Sequence, residues 1–397
     1  ENKRYMALQG CFWMLFCMGT CYVSLYLQSC GLGNGSIGMV TAIFGTLAAV
    51  AQPVLGRLCD RSAKLTWKQM LLLLCTPFPI ICVLMLLGRS AWLGSLSMGL
   101  LLFLANAMMP FVNSASVFYR TQGRAINFGV ARGVGSGMYA LLALLVGQLA
   151  AQLGIAVVPV SGIVVSALML LIVSRMPCKQ KAEEQTAQTV AHGSMSDFVR
   201  RYPSFALMLV ACLFSLTSHN ITGTYLLQII QSLGGDSGDL GITMAIQALV
   251  EVPVLFGFSL LLKHFRPGTL VLIATGGYAL KALLYALAHT IPTIWLLQGT
   301  QMLSFAIYAS ASVYYAAECI RAEDQVTGQA LMTSTIAIGT VVGSLLGGCL
   351  LEYTSIGVML WVNVVLAAVG LLIAIPAWRL YAGRNNKHKQ SSINAHQ

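Results

Sequence analysis

The sequence predicts an all-α integral membrane protein of twelve transmembrane helices in two six-helix repeats. Three observations predict it. Of the 397 residues, 57% are hydrophobic and only 9% are charged, with a mean hydropathy of +0.78, whereas soluble domains carry about 25% charged residues. The apolar residues gather into runs of about 20, the length that crosses a bilayer as a helix. Short motifs recur in the two halves at nearly constant spacing. Together these exclude a water-soluble enzyme or nucleic-acid binder and make the lipid bilayer the expected partner.

The first six spans are expected at roughly 6 to 28, 37 to 58, 69 to 88, 92 to 118, 126 to 149 and 155 to 176. The second six follow at roughly 203 to 230, 240 to 262, 269 to 288, 292 to 317, 327 to 351 and 355 to 378. Residues 177–202 carry Lys179, Lys181, Glu183, Glu184 and a Gln/Thr/Ala run, the composition of a solvated linker. This gives an N-terminal bundle over 1–176, a cytoplasmic linker over 177–202, a C-terminal bundle over 203–378 and a polar, disordered cytoplasmic tail over 379–397. Lys3 and Arg4 precede the first run, which is too long for a signal peptide and is followed by no small-residue cleavage pattern.

Orientation follows from Lys and Arg in short loops. With the N-terminus cytoplasmic, the inner side collects Lys3, Arg4, Arg57, Arg61, Lys64, Lys68, Arg120 and Arg124, then the basic residues of the linker and tail, while the outer loops hold only Arg89. The formal charge of +11 is thereby read as membrane orientation and not as a nucleic-acid surface. Both termini are expected in the cytoplasm, with the protein in a bacterial inner membrane.

The halves repeat each other. QSCGLGNGSIG (Gln28 to Gly38) and QSLGGDSGDLG (Gln231 to Gly241) share Gln, Ser and three glycines at an offset of 203 residues. Gln52-Pro53-Val54-Leu55 matches Val252-Pro253-Val254-Leu255, and Ser114-Ala-Ser-Val-Phe-Tyr119 matches Ser310-Ala-Ser-Val-Tyr-Tyr315. Two parallel repeats joined by a linker describe an architecture in which substrate binds between the halves at the membrane midplane.

After the second span, Gly56-Arg-Leu58-Cys-Asp60-Arg61-Ser-Ala-Lys64 resembles the G-x-L-x-D-R loop motif of the major facilitator superfamily, shortened by Ala63 at the second glycine. The resemblance implies a latch between the halves at Asp60 and Arg61; a solvated turn is the alternative. Asn127-Phe-Gly129-Val-Ala-Arg132-Gly-Val-Gly135-Ser136 resembles the Y/F-G-x-x-R-x-x-G-S signature of the lactose-permease-like, nucleoside-permease-like and phenylpropionate-permease-like branch. Glu251-Val-Pro253 and Gly328-Gln329-Ala330-Leu331 resemble that branch's E-x-P and G-Q-A-L. The resemblance implies the major facilitator fold and a transporter, and leaves the cargo open among sugar, nucleoside and aromatic acid.

Charges deep in a membrane are costly, so they mark function. Three lie well inside the spans: Arg132, Glu251 and Lys281. Arg132 shares a helical face with Ser136 and Tyr139, a fork of donors beside a ring that suits two sugar hydroxyls or one carboxylate. In the sugar-transporting relatives the matching arginine and aromatic residue contact substrate, which implies the same of Arg132 and Tyr139; a salt bridge fixing the halves is the alternative. Glu251 is the single carboxylate well inside the membrane, with Gln247 one turn earlier. Burial favours a protonated carboxyl and a nearby arginine favours the ionised one, so such a group can load and release a proton; a permanently neutral glutamate is the alternative. Lys281 lies between Tyr278 and Tyr285. The resembled permeases pair a basic residue in this helix with a histidine and an acid on the tenth, but here the tenth offers Gln301, Ser304, Tyr308, Ser312 and Tyr315. Lys281 is therefore either part of the coupling or an internal structural charge.

Polar stripes at helical spacing complete the candidates: Tyr22 and Tyr26; Asn106 and Asn113; Ser215, Ser218, Thr222 and Tyr225; and the tenth-span set with Gln301 and Tyr308. These lie on the first, fourth, seventh and tenth spans, which the resemblance places around the cavity. His219 reads as a packed, satisfied side chain. Glycines at 129, 133 and 137 and at 339, 343 and 347 give faces for close helix approach between the halves. Of the eleven cysteines, most lie in apolar stretches without C-x-x-C spacing and read as packing residues. No Walker loop, metal-ligand cluster or nucleophile–base pair is present, so no cofactor, metal or enzyme activity is expected. The expectation is a monomeric secondary transporter importing a small polar solute with protons. Its rivals are an exporter of amphipathic compounds, an uncoupled facilitator and a sensor that has lost transport.

Overall fold

The computed structural model describes residues 2–61, 66–121, 128–177, 195–321 and 324–394. The first half comprises α1 (Asn2–Thr20), α2 (Val23–Ser29), α3 (Asn34–Arg61), α4 (Trp67–Cys75), α5 (Pro77–Leu87), α6 (Ala91–Thr121), α7 (Phe128–Leu153) and α8 (Val157–Ser174). A short helix, α9 (Met195–Arg201), leads into the second half. There follow α10 (Pro203–Thr224), α11 (Leu226–Ser232), α12 (Ser237–His264), α13 (Pro267–Ala286), α14 (Ile291–Leu297), a 3-10 turn η1 (Gln298–Met302), α15 (Phe305–Cys319), α16 (Gln325–Tyr353) and α17 (Ile356–Asn394).

Ten spans among the described residues are long and apolar enough to cross a membrane, and the pair α1 and α2, bent by 41°, makes an eleventh. Their outward faces carry exposed Ile43, Leu47, Val164, Leu260, Val365 and Leu372, a surface suited to lipid and not to water. The tenth span of the sequence reading is discontinuous: α14, η1 and α15 share it. The break falls where the sequence puts Gln298, Gly299 and Gln301, and it lies against α13, because a side chain at Gly277 would collide with the Leu303 carbonyl and the Ser304 nitrogen. The tail is a second departure: the chain after Arg379 continues α17 as far as Asn394.

The halves meet along two crossings, α3 with α16 and α7 with α12, which are counterparts in the repeat. The recurring motif accounts for both. Gly31 and Gly234 hold φ of +83° and +82°, the left-handed turn that ends α2 and α11 and that glycine adopts without strain. Seven residues on, Gly38 lies against the Ser344 carbonyl of α16, and Gly241 against the Ala143 carbonyl and Gly147 Cα of α7. Each leaves no space for a Cβ, so both crossings depend on the motif's last glycine.

The described hydrogen bonds between the halves all lie at the end of the bundle opposite the linker. Ser24 Oγ donates to the Thr224 carbonyl at 2.6 Å, Gln228 Nε2 to Asn34 Oδ1 at 3.0 Å, and the Gly35 N–H to Glu352 Oε2 at 3.1 Å. Ser237 Oγ donates to the Gly147 carbonyl at 3.4 Å. One buried apolar cluster runs from the first half into Ile221, Tyr225, Leu226 and Leu240 of the second at this end. The other cluster, around Tyr202, Phe205, Tyr278 and Tyr315, stays within the second half. The bundle is therefore cemented at one end.

Candidate functional site

The breaking of the tenth span positions the first half of the site. Because η1 replaces regular helix there, Gln301 turns in between α12 and α13. Its Oε1 accepts from Lys281 Nζ at 2.6 Å and its Nε2 donates to Glu251 Oε1 at 2.8 Å. All three side chains are buried. One amide thus links a membrane-embedded cation to a membrane-embedded anion, the kind of charge-assisted bonding that buried ions require. Lys281 also lies 5.8 Å from the Tyr285 ring centroid. A short 3-10 stretch inside a span is a feature common at functional hinges and in transporter binding sites.

Arg132 on α7 faces this group from the other half. Its Nη1 donates to Ser136 Oγ at 2.7 Å, one helical turn on, and its guanidinium carbon lies 3.7 Å from the Trp13 ring centroid. Trp13 Nε1 donates to Gln9 Oε1 at 3.0 Å, and Gln9 Nε2 donates to the Tyr5 hydroxyl at 2.7 Å. A stripe on α1, spaced four residues apart, thereby fixes the indole over the cation. Gly135 is essential to this packing, since a Cβ there would overlap the Trp13 indole. Gly133 similarly receives the Phe256 ring of α12. The arginine, glycine and serine of the R-x-x-G-S stretch therefore form one unit: a cation, the space for the ring that covers it, and its acceptor.

Arg132 and Lys281 both lie within electrostatic reach of Glu251. Arg132 and Glu251 are nevertheless not ion-paired within 4.0 Å. The two halves present opposite charges to each other where α7 and α12 meet.

The other sequence candidates are distributed differently. Tyr22 is wholly buried, with its hydroxyl donating to the Ala143 carbonyl at 2.5 Å. Tyr26 donates to the Met85 carbonyl at 3.0 Å, and Tyr225 to the Ser344 carbonyl at 2.7 Å. Tyr308 pairs with Thr335 Oγ1 at 2.9 Å. These four hydroxyls are engaged in helix packing. Tyr139 is half-buried against the first-half core, and Asn113 is exposed on α6. Asp60 and Arg61 end α3, and their side chains lie outside the described residues.

Two expectations are corrected. His219 is packed, stacking on Phe305 with 5.3 Å between centroids and tilted on Tyr278 at 5.4 Å, but its Nδ1 is buried without a partner, so it is not satisfied. The glycines at 339, 343 and 347 pack against Leu216 and Thr217 of α10 and Tyr225 just after it, in their own half; α16 crosses to the other half on a different face. Missed altogether were Gln9, Trp13 and Phe256. The spacing of Tyr5, Gln9 and Trp13 at i, i+4 and i+8 was the available signal.

The chain is similar to known proteins over most of its length. The MFS_1 like family matches residues 5–362. A crystal structure of a point mutant of the nucleoside transporter NupG superposes with a TM-score of 0.78 at 15% identity, covering 94% of this chain and 99% of that one. The NupG structure without that mutation gives 0.73 at 17% identity, over 95% and 99%. A bacterial homologue of the human lysosomal transporter Spinster, in an inward-facing and unoccupied conformation, gives 0.66 at 13% identity, over 95% and 96%. No curated protein matches the sequence at a significant level.

Proposed function

The chain belongs to the MFS_1 like family of the major facilitator superfamily, and on that footing we propose that it is a secondary transporter that imports a small polar solute with protons by alternating access. The observation that carries the reading is that Arg132 of one half lies within electrostatic reach of the Lys281–Gln301–Glu251 group of the other. Charges of this kind cost several kcal/mol in a membrane unless they serve a pathway. Glu251 is the proton site: as the halves rock, it exchanges the neighbourhood of Arg132 for that of buried apolar side chains, and its proton affinity changes accordingly. Arg132 with Ser136 binds the solute, and Tyr139 lines the same face. The bundles 1–176 and 203–378 move as the two rocking units, with Asp60 and Arg61 as a latch at the linker end.

The Lys and Arg of the loops at that end support a cytoplasmic placement for it. With the opposite end cemented by the bonds of Ser24, Gln228, Gly35 and Ser237, the resting form opens inward, in a bacterial inner membrane. The protein works as a monomer, without cofactor and without catalysis.

The test is uptake of labelled uridine, glucose and benzoate into proteoliposomes under an inward proton gradient. Wild type accumulates at least one of them; Glu251→Gln loses accumulation but keeps counterflow exchange. Accumulation by the variant equal to wild type would remove Glu251 from coupling, and no movement of any solute would favour a sensor.

A further inference from the structure

The charge balance of the site is uneven, and this bears on what it carries. From Asn2 to Met176 the single acidic residue is Asp60, at the linker end of α3 and far along the chain from the middle of the membrane. Arg132 therefore has no carboxylate in its own half to oppose it. The carboxylate of the other half, Glu251, is engaged by Gln301 and through it by Lys281, and it makes no ion pair with Arg132. The described hydrogen bond of the Arg132 side chain is to a serine hydroxyl, which carries no charge. Two cations and one carboxylate leave the ionised site with one positive charge in surplus, and that surplus resides on Arg132.

The geometry of Arg132 restricts how it could be neutralised. Trp13 covers one face of the guanidinium at 3.7 Å, and Ser136 takes Nη1. A ligand therefore approaches along an edge, in the guanidinium plane, which is the approach a carboxylate uses for two parallel N–H···O bonds. Aromatic side chains lie close by: Trp13 over the guanidinium and Phe256 against the neighbouring Gly133.

We infer that the solute is a small organic monoanion whose carboxylate is held in-plane by Arg132. This rests on the reading that Arg132 lies in the transport site. A neutral sugar or nucleoside would hydrogen-bond the fork but leave the surplus charge in a site that excludes water when it closes, where an unpaired charge is most costly. A monocarboxylate neutralises Arg132 itself, so the proton carried on Glu251 leaves the surplus at one charge, where a neutral solute would raise it to two. With a proton on Glu251 and the anion on Arg132, the loaded site bears the same net charge as the empty ionised one, so neither half-cycle moves more charge than the other.

The test measures thermal unfolding of the purified full-length protein with matched probes: benzoate against benzamide, gluconate against glucose, and uridine as a neutral nucleoside. At least one acid should stabilise while its neutral partner at equal concentration does not. Arg132→Gln should weaken the half-saturating concentration roughly 10- to 100-fold, the loss expected for a charge-assisted pair. Arg132→Lys, which keeps charge but not the fork, should weaken it less than Arg132→Gln, and serves alone if the glutamine variant does not fold. Stabilisation by a neutral probe that depends on Arg132 would overturn the anion while leaving the site intact. Stabilisation by an acid that is equal in wild type and both variants would overturn the site itself. No stabilisation by either acid would also overturn the inference.

Discussion

Gln28 and Gln231 occupy the same position in the two repeats, 203 residues apart, and they bond to each other: Gln28 Nε2 donates to Gln231 Oε1 at 3.4 Å, and Gln231 Nε2 to Gln28 Oε1 at 3.2 Å. A reciprocal amide pair between equivalent residues can form only where the pseudo-two-fold axis relating the halves passes between them. The pair marks the point at which the opposite end of the bundle closes, and it must break if that end is to open. The motif that carries it also supplies Gly31 and Gly234 for the turns and Gly38 and Gly241 for the crossings. One duplicated eleven-residue segment thus builds the closure from both sides.

If this end opens in each cycle, tethering it should stop transport. Gln28→Cys with Gln231→Cys, joined by a short bismaleimide, is expected to bind solute from the linker side yet transport none. Each single-cysteine protein treated identically should transport normally. Unimpaired transport after complete cross-linking would show that this end stays closed throughout.

Gly241→Val places a branched side chain against the Ala143 carbonyl and Gly147 of α7, where there is no space for it. The crossing of α7 and α12 should be wedged apart at the opposite end. In a background with Cys349→Ser, a cysteine at position 28 should then react faster with a membrane-impermeant maleimide applied from that end. Unchanged labelling would mean that the helices absorb the valine without opening.

Gln301→Leu removes the amide between Lys281 and Glu251, leaving a buried ammonium and a buried carboxylate without their described partner. The expected cost is about 2 to 4 kcal/mol, read as a melting temperature lower by roughly 5 °C or more. Gln301→Glu restores an acceptor for Lys281 but sets a second carboxylate beside Glu251, and should recover only part of the loss if Glu251 is ionised at rest. A leucine variant as stable as wild type would show that the two charges reach each other directly.

Trp13→Ala exposes the face of the Arg132 guanidinium and frees Gln9, whereas Trp13→Phe keeps a ring over the cation. Cation–π contacts contribute about 0.5 to 2 kcal/mol, so alanine should weaken solute binding by roughly 2- to 30-fold and phenylalanine by much less. A structural role alone would lower the melting temperature of both without separating their affinities. Equal affinity in the two variants would remove Trp13 from the site.

Much of the fold was legible because a membrane imposes simple constraints on sequence. Backbone polar groups must be satisfied within a segment, so a span reads as a run of apolar residues, and duplication left its motifs in register. Arg132, Glu251 and Lys281 stood out for the same reason: a charge in an apolar run is conspicuous. Hydroxyls were not, because a buried tyrosine meets its hydrogen-bonding need equally well at a cavity or at a neighbouring helix carbonyl. Tyr22, Tyr26, Tyr225 and Tyr308 took the second course, which spacing alone could not decide.

The sequence by itself therefore determined the helical membrane fold, the two repeats and the three embedded charges. Only the tertiary structure decided how those charges are partnered. Gln301 reaches Glu251 and Lys281 because the tenth span breaks against Gly277, and Trp13 reaches Arg132 because Gly135 leaves room for it. Both depend on the close approach of helices distant in the chain, and glycines that permit such an approach look the same in sequence as glycines that meet only lipid. The direction in which the bundle is closed was decided there too, since Gln28 and Gln231 pair only when the two halves come together.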